Sequence, residues 1–226
     1  MASRNWAPVA ALILALTLGA CTTSVSGQAA RGSGQPPASS TKAKPTPVPI
    51  SARDLLLQDA TTTPLGPAIA IPVGDSYFTS VRPPECAAAL LFNSSPLLPP
   101  GASDHADSAY QVNGPALYAE SADVYPNPVD DHDVVWKGFS AVSNCRGEAV
   151  GVAPLGAFKP MKLSFFATSS DGVLVWTMTR PDWTCDFGLA AIPRVVLLMV
   201  GCDTKPGFPM ADWAAKRRAQ LSGGTA

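Results

Sequence analysis

Two apolar runs, broken by Pro193-Arg194 and bracketed by cysteines, constrain this chain more than any other stretch. The first reads Cys185-Asp186-Phe187-Gly188-Leu189-Ala190-Ala191-Ile192, the second Val195-Val196-Leu197-Leu198-Met199-Val200-Gly201-Cys202. Proline already has the φ that the second position of a type I turn requires. A hairpin folded about Pro193-Arg194 sets Ile192 opposite Val195 and, by the same count, Cys185 opposite Cys202. Directly opposed residues in an antiparallel ladder bring their Cα atoms into disulfide range. The register and a cross-strand disulfide therefore predict each other. Such a bridge needs an oxidising compartment.

The amino terminus supplies that address. Residues 1–20 read as a signal peptide: Arg4 gives a positive start, and residues 7–20 are apolar but too short and small-residued for a membrane span. Leu18-Gly19-Ala20-Cys21 resembles the bacterial lipobox, in which the cysteine thiol receives a diacylglyceryl group and the peptide before it is removed. An ordinary signal peptide or uncleaved anchor that happens to hold a cysteine fits less well. Small residues precede Cys21 and a polar run follows at once. Lipidation at Cys21 implies a protein held to the cell membrane on its extracytoplasmic face, since two or more acyl chains anchor stably. Residues 21–50, rich in Pro, Ser, Thr and Gly without apolar periodicity, then read as a tether. Its reach is on the order of 30 Å as coil and roughly three times that if extended.

With Cys21 consumed as a thioether, four of the five cysteines remain: Cys86, Cys145, Cys185 and Cys202. Four cysteines allow three connectivities. The hairpin selects Cys185–Cys202 and leaves Cys86–Cys145. By chain entropy the first bridge is worth about 3 kcal/mol and the second, closing a longer loop, about 4 kcal/mol.

Charge narrows the partners. The 16 Lys and Arg, less the four before Ser51, leave 12 against 17 Asp and Glu, a net −5 for residues 51–226. The three charges of the tether (Arg31, Lys42, Lys44) are all positive. A mildly acidic domain on a basic stalk argues against nucleic acid, which requires basic surface.

Along the domain, Ser51 with Asp54 approximates a capping box for a helix through Leu55-Leu56-Leu57, stopping near Ala60. Pro83 or Pro84 starts a helical turn carrying Cys86. Residues 93–108, rich in Pro, Ser and Asp, read as loop, and residues 110–124 as two strands. Val135, Phe139 and Val142 recur at helical spacing behind an acidic start, giving a helix that ends near Asn144 and delivers Cys145 towards Cys86. Strands follow over 148–152, 161–168 and 173–179, the last two joined by the turn Ser169-Ser170-Asp171-Gly172. After the cystine hairpin, residues 208–221 form an amphipathic helix with basic residues near its end. The pattern is α+β: an antiparallel sheet flanked by helices and stapled by two disulfides.

At this level the chain resembles the PknH-like extracellular sensor domain family, that of a mycobacterial receptor kinase and related actinobacterial lipoproteins. The features that carry the resemblance span most of residues 51–221: the Ser51–Asp54 helix with its leucines, the Cys86 segment, the helix ending in Cys145, Trp183-Thr184-Cys185, Leu189-Ala190, Val195-Val196, Val200-Gly201-Cys202 and an Ala-rich last helix. The resemblance implies helices on an antiparallel sheet, two disulfides paired as above, and a large cleft for an unidentified ligand. This chain departs from the family at Pro193-Arg194, where relatives carry Asn-type residues, and in the 93–108 loop. No kinase domain accompanies these residues, so no signalling output is carried over.

Chemistry-bearing motifs are sparse. His105 sits in the Ser/Pro loop and His132 in the acidic run Asp130-Asp131-His132-Asp133, which reads as a solvated helix cap because consecutive residues point in different directions. No nucleophile elbow, phosphate loop, His-Glu-x-x-His or Cys-x-x-Cys is present. Asn93-Ser94-Ser95 matches a glycosylation triplet by coincidence. Trp136, Trp176, Trp183 and Trp213 could line a cleft, though Trp in regular elements is more often core. The reading is a non-enzymatic lipoprotein without metal or cofactor. It binds a small molecule or envelope component at residues the sequence does not name, or alternatively docks on an envelope protein. The cystine hairpin reads as scaffold, with the site elsewhere.

Overall fold

The computed structural model describes residues 50–74, 77–169 and 172–224. The expected signal peptide, Cys21, the expected tether up to residue 49 and the expected turn residues Ser170 and Asp171 lie outside the described residues. The helices are α1 (Ala52–Leu55), α2 (Ala87–Leu90), α3 (Asp131–Ser143) and α4 (Met210–Gly224), with a 3-10 turn at Pro84–Cys86 leading into α2. Strands β1 (Thr62–Thr63) and β2 (Gly66–Pro67) pair only with each other. The remaining strands are β3 (Ile69–Ile71), β4 (Ser80–Arg82), β5 (Asp104–Gln111), β6 (Leu117–Val124) and β7 (Glu148–Ala153). They continue with β8 (Gly156–Ala157), β9 (Met161–Ser169), β10 (Val173–Arg180), β11 (Trp183–Ile192) and β12 (Val195–Asp203).

These ten strands form one antiparallel sheet in the order β3-β5-β6-β12-β11-β10-β9-β7-β4, with β8 beside β7. The cystine hairpin lies at its centre. Its register sets Ile192 opposite Val195 and Cys185 opposite Cys202, as the count about Pro193-Arg194 predicts. Sulfur–sulfur distances are 2.09 Å for Cys185–Cys202 and 2.05 Å for Cys86–Cys145.

The near-continuous hydrophobicity of β11 and β12 has a direct cause: both faces of the central sheet are covered. Phe187, Leu189, Val196 and Leu198 pack on one side against α2 and Val134, Val135 and Val142 of α3. Ala190, Ile192, Val195, Leu197 and Met199 pack on the other against α1 and Met210, Trp213, Ala214 and Leu221 of α4. A strand buried on both faces has no polar side to alternate with. The α4 layer approaches closely at two glycines. A Cβ at Gly188 would lie 2.8 Å from Met210 Sδ, and one at Gly201 2.8 Å from the Phe208 ring.

Three local expectations give way to tertiary contacts. Helix α1 stops at Leu55 rather than near Ala60, and the Ser51 side chain makes no capping bond. The backbone N–H of Ala52 donates instead to Asp104 Oδ2 at 2.8 Å, and that of Leu57 to Glu120 Oε2 at 2.7 Å, drawing the chain out across the sheet. Residues 104–108, expected in a loop, are strand β5, because each pairs with an apolar or polar partner of β6, Asp104 with Val124 through Ser108 with Glu120. A strand accepts such polar residues where cross-strand pairing supplies what propensity lacks. Finally, α4 runs on to Gly224, so Lys216, Arg217 and Arg218 lie mid-helix, and Arg217 is turned into the core.

Candidate ligand cleft

Successive cross-strand neighbours divide the α3 face of the sheet into rows. Ala109, Ala119, Val200, Phe187 and Trp176 form one row, each opposite the next. Leu117, Cys202, Cys185 and Met178 form the row beside it. Helix α3 covers the sheet further along, at Leu174 and Leu189. At these two rows a cleft of about 280 Å³ opens. Its floor is Ala109, Ala119, Val200, Phe187 and the Cys185–Cys202 disulfide. Aromatic side chains wall it: Tyr77 stacks on Phe92 with ring centroids 5.4 Å apart, and Phe78 meets Phe158 edge-on at 5.0 Å. Trp183 and Arg180 close one end. The cystine hairpin is thus more than scaffold, since one of its faces is the cleft floor.

Polar groups within this shell are few. The Tyr77 hydroxyl is buried without a hydrogen-bond partner. Burial, and then the negative charge of nearby Asp107, hold its pKa well above the ordinary tyrosine value. Arg180 Nε lies 2.9 Å from Asp182 Oδ1 but off the line of its N–H, so that buried nitrogen has no aligned acceptor. Lys159 Nζ donates to the other carboxylate oxygen of Asp182 at 2.9 Å. This bond, with the charge of Arg180, holds the Asp182 carboxyl below its usual pKa.

A second polar group lies further along the same face, past Ala109 and Ala119. His105 Nδ1 is 2.5 Å from Asp123 Oδ1, and its Nε2 is 3.1 Å from Asp107 Oδ2. Tyr125 donates to the Pro99 carbonyl at 2.8 Å and meets Asp123 Oδ2 at 3.3 Å. Ser121, directly opposite Asp107, is fully buried, and its hydroxyl has no partner. Both histidine nitrogens face carboxylates, so this cluster is an ion pair.

Of the other residues singled out by sequence, Trp176 and Trp213 are core, donating to the Ala89 carbonyl at 2.9 Å and the Tyr118 hydroxyl at 2.7 Å. Trp183 lines the cleft. Trp136 is half exposed on α3 and donates to His132 Nε2 at 2.6 Å. Asp130 caps α3 by accepting from the Asp133 N–H at 3.0 Å, while Asp131 pairs with Arg218 and Asp133 with Lys137. Among the described residues no three His, Cys, Asp or Glu side chains converge as metal ligands. Asn93 is exposed, with Ser94 donating to its Oδ1. Sequence reading missed Tyr77, Phe78, Phe158, Lys159 and Arg180, which come together only through the fold and share no local signal.

This architecture is shared with a solved structure, the extracellular domain of PknH from Mycobacterium tuberculosis. The TM-score is 0.59, over 98% of that chain and 78% of this one, at 15% sequence identity. The class is therefore a PknH-type extracellular-domain fold. No protein-family model matches the chain. Sequence relatives are nearer: the protein named "Putative lipoprotein LprH" in Mycobacterium bovis, and its Mycobacterium tuberculosis counterpart, are each 58% identical over 219 residues, 96% of this chain and 94% of theirs. The chain belongs to the LprH lipoprotein family. Among the described residues no helix is long and apolar enough to cross a membrane.

Proposed function

We propose that this protein is an envelope lipoprotein, anchored through Cys21 on the extracytoplasmic face of the cell membrane, whose domain binds a small molecule or envelope component in the cleft. The observation that carries the binding half is the cleft itself: an apolar, aromatic-walled hollow with a few polar groups at its margins is the usual form of a ligand site. The lipoprotein name of the relatives and the Leu18-Gly19-Ala20-Cys21 run support the anchor. The role is binding without catalysis, in keeping with a His105 engaged at both nitrogens.

Docking on another envelope protein is the second reading. Exposed rings favour it: Trp136 meets Phe139 at 5.7 Å and Phe139 meets Phe166 at 5.0 Å, with Trp136 and Phe166 both exposed. Contiguous apolar surface of this kind marks interaction sites.

Cys21→Ala should release the protein from the membrane fraction, and retention there would refute the anchor. Incubation with envelope extract, followed by mass spectrometry of what co-purifies, tests the cleft. A retained small molecule that is lost in Ala119→Phe, which fills the floor, supports binding. No retained molecule, together with a protein cross-linked near Trp136, favours docking.

A further inference from the structure

Resting on the cleft reading, we propose that the occupant is a single-chain anionic amphiphile: an acyl-type chain lying on the disulfide floor, with an acidic head against Arg180 and Lys159. Size sets the first limit. About 280 Å³ holds roughly nine groups the size of a water or a methylene, at about 30 Å³ each. That suits one medium-length chain. Lining sets the second. The floor is methyl groups, disulfide sulfur and the Phe187 ring, and the walls are aromatic, so the enclosed part of the ligand is hydrocarbon.

Charge sets the third limit and gives the direction. The domain as a whole is acidic, at net −5 over residues 51–226. The end of the cleft at Trp183 reverses that sign locally. Arg180 lines the cleft, and Lys159 follows the cleft-wall residue Phe158. The two cations share one carboxylate, Asp182, which Lys159 grips by hydrogen bond and Arg180 approaches out of alignment. One positive charge is left over, and the buried Arg180 Nε has no aligned acceptor to compete with an anion. At the other side of the cleft Tyr77 stands beside Asp107, and there two carboxylates, Asp107 and Asp123, face the single His105, a net negative charge that repels an anion. The acid therefore belongs at Arg180 and the chain runs towards Ala109 and Ala119. A neutral amphiphile would leave Arg180 unmet. A cationic one would place like charges together.

The test uses the full chain carrying Cys21→Ala, titrated calorimetrically with decanoate, decyl phosphate and 1-decanol below their micelle concentrations. A hydrogen bond to a charged partner corresponds to about tenfold or more in affinity, so at least one acid should bind about tenfold tighter than the alcohol. The tighter of the two acids assigns the head as carboxylate or phosphate. Arg180→Gln should close the gap in affinity between the acid and the alcohol. Lys159→Gln, at an exposed position where folding is not in question, should weaken the acid by a smaller factor. Equal binding of acid and alcohol overturns the head-group inference while leaving the cleft intact. An acid preference that survives both substitutions overturns the assignment to this cationic pair. No binding by any of the three probes overturns the cleft reading as well.

Discussion

Arg217 of α4 grips Glu120 of β6 by both carboxylate oxygens, Nε to Oε1 at 2.8 Å and Nη2 to Oε2 at 3.0 Å, with Glu120 fully buried. Tyr118 adds its hydroxyl to Oε1 at 2.7 Å, and the Leu57 N–H donates to Oε2 at 2.7 Å. Arg217 also donates to the Leu55 carbonyl at 2.7 Å. The pair thus ties sheet, last helix and the segment at Leu55–Leu57 into one network. A buried pair is weak evidence of net stabilisation, but removing one partner strands a charge. Arg217→Met should cost about 3–5 kcal/mol, read from urea midpoints. The double variant Glu120→Leu with Arg217→Met should lose less than the single one. A single-variant loss below about 1 kcal/mol would show that the network bears little strain on losing its cation.

The disulfides should rank by loop length. Cys86–Cys145 closes a separation of 59 residues and Cys185–Cys202 one of 17. Replacing the first pair by alanines should cost about 4 kcal/mol and the second about 3 kcal/mol on chain entropy. Only the second should also weaken ligand retention, because it floors the cleft. Peptide mapping without reduction should recover these two pairs, and a Cys86–Cys202 peptide would contradict the register.

Stability should carry a signature of His105. Partial burial opposes its protonation, but hydrogen bonds and charge from Asp123 and Asp107 outweigh that and raise its pKa above the ordinary 6.5. Tyr125 and Tyr77 are the other titratable groups facing the cluster, through Asp123 and Asp107 respectively. A group that is protonated more readily in the folded state adds stability in full below its unfolded pKa and loses it as pH rises through the folded value. Urea midpoints should therefore fall as pH climbs from about 6.5, and His105→Gln should flatten that decline. The ring is 44% exposed, which limits the effect to about 1 kcal/mol or less. The same slope in both proteins would remove His105 from the account.

Two glycines beneath the α4 layer should respond differently. A Cβ at Gly188 meets the tip of flexible Met210, whereas one at Gly201 meets the rigid ring of Phe208. Gly201→Ala should cost about 1–3 kcal/mol, as overpacking does, and Gly188→Ala less. Thermal melts of the two variants decide it, and the reverse order would mean that the Phe208 segment yields more easily than the helix.

Much of the fold was legible because its determinants are local. The hairpin register followed from a turn and a count, and α3 from its apolar period and its Asp130 cap, which accepts the Asp133 N–H. The leucines after Ser51 misled because, just past α1, the Leu57 N–H is taken by an acceptor far along the chain, Glu120. Strand β5 hid in a polar stretch because its pairing with β6 outweighs propensity. The cleft was not legible at all: Tyr77, Phe158, Arg180 and Val200 lie far apart in sequence and converge only on the folded sheet.

By itself, then, the sequence determined the α+β class and the cysteine pairing, each set by residues close along the chain or by exclusion among few alternatives. Tertiary structure alone decided which side of the doubly covered hairpin stays open, that Arg217 points inward, and where the isolated cations Lys159 and Arg180 meet. A strand apolar on both faces does not encode which face a helix will cover. That depends on where α3 and α4 land, and α3 lands short of the rows that floor the cleft.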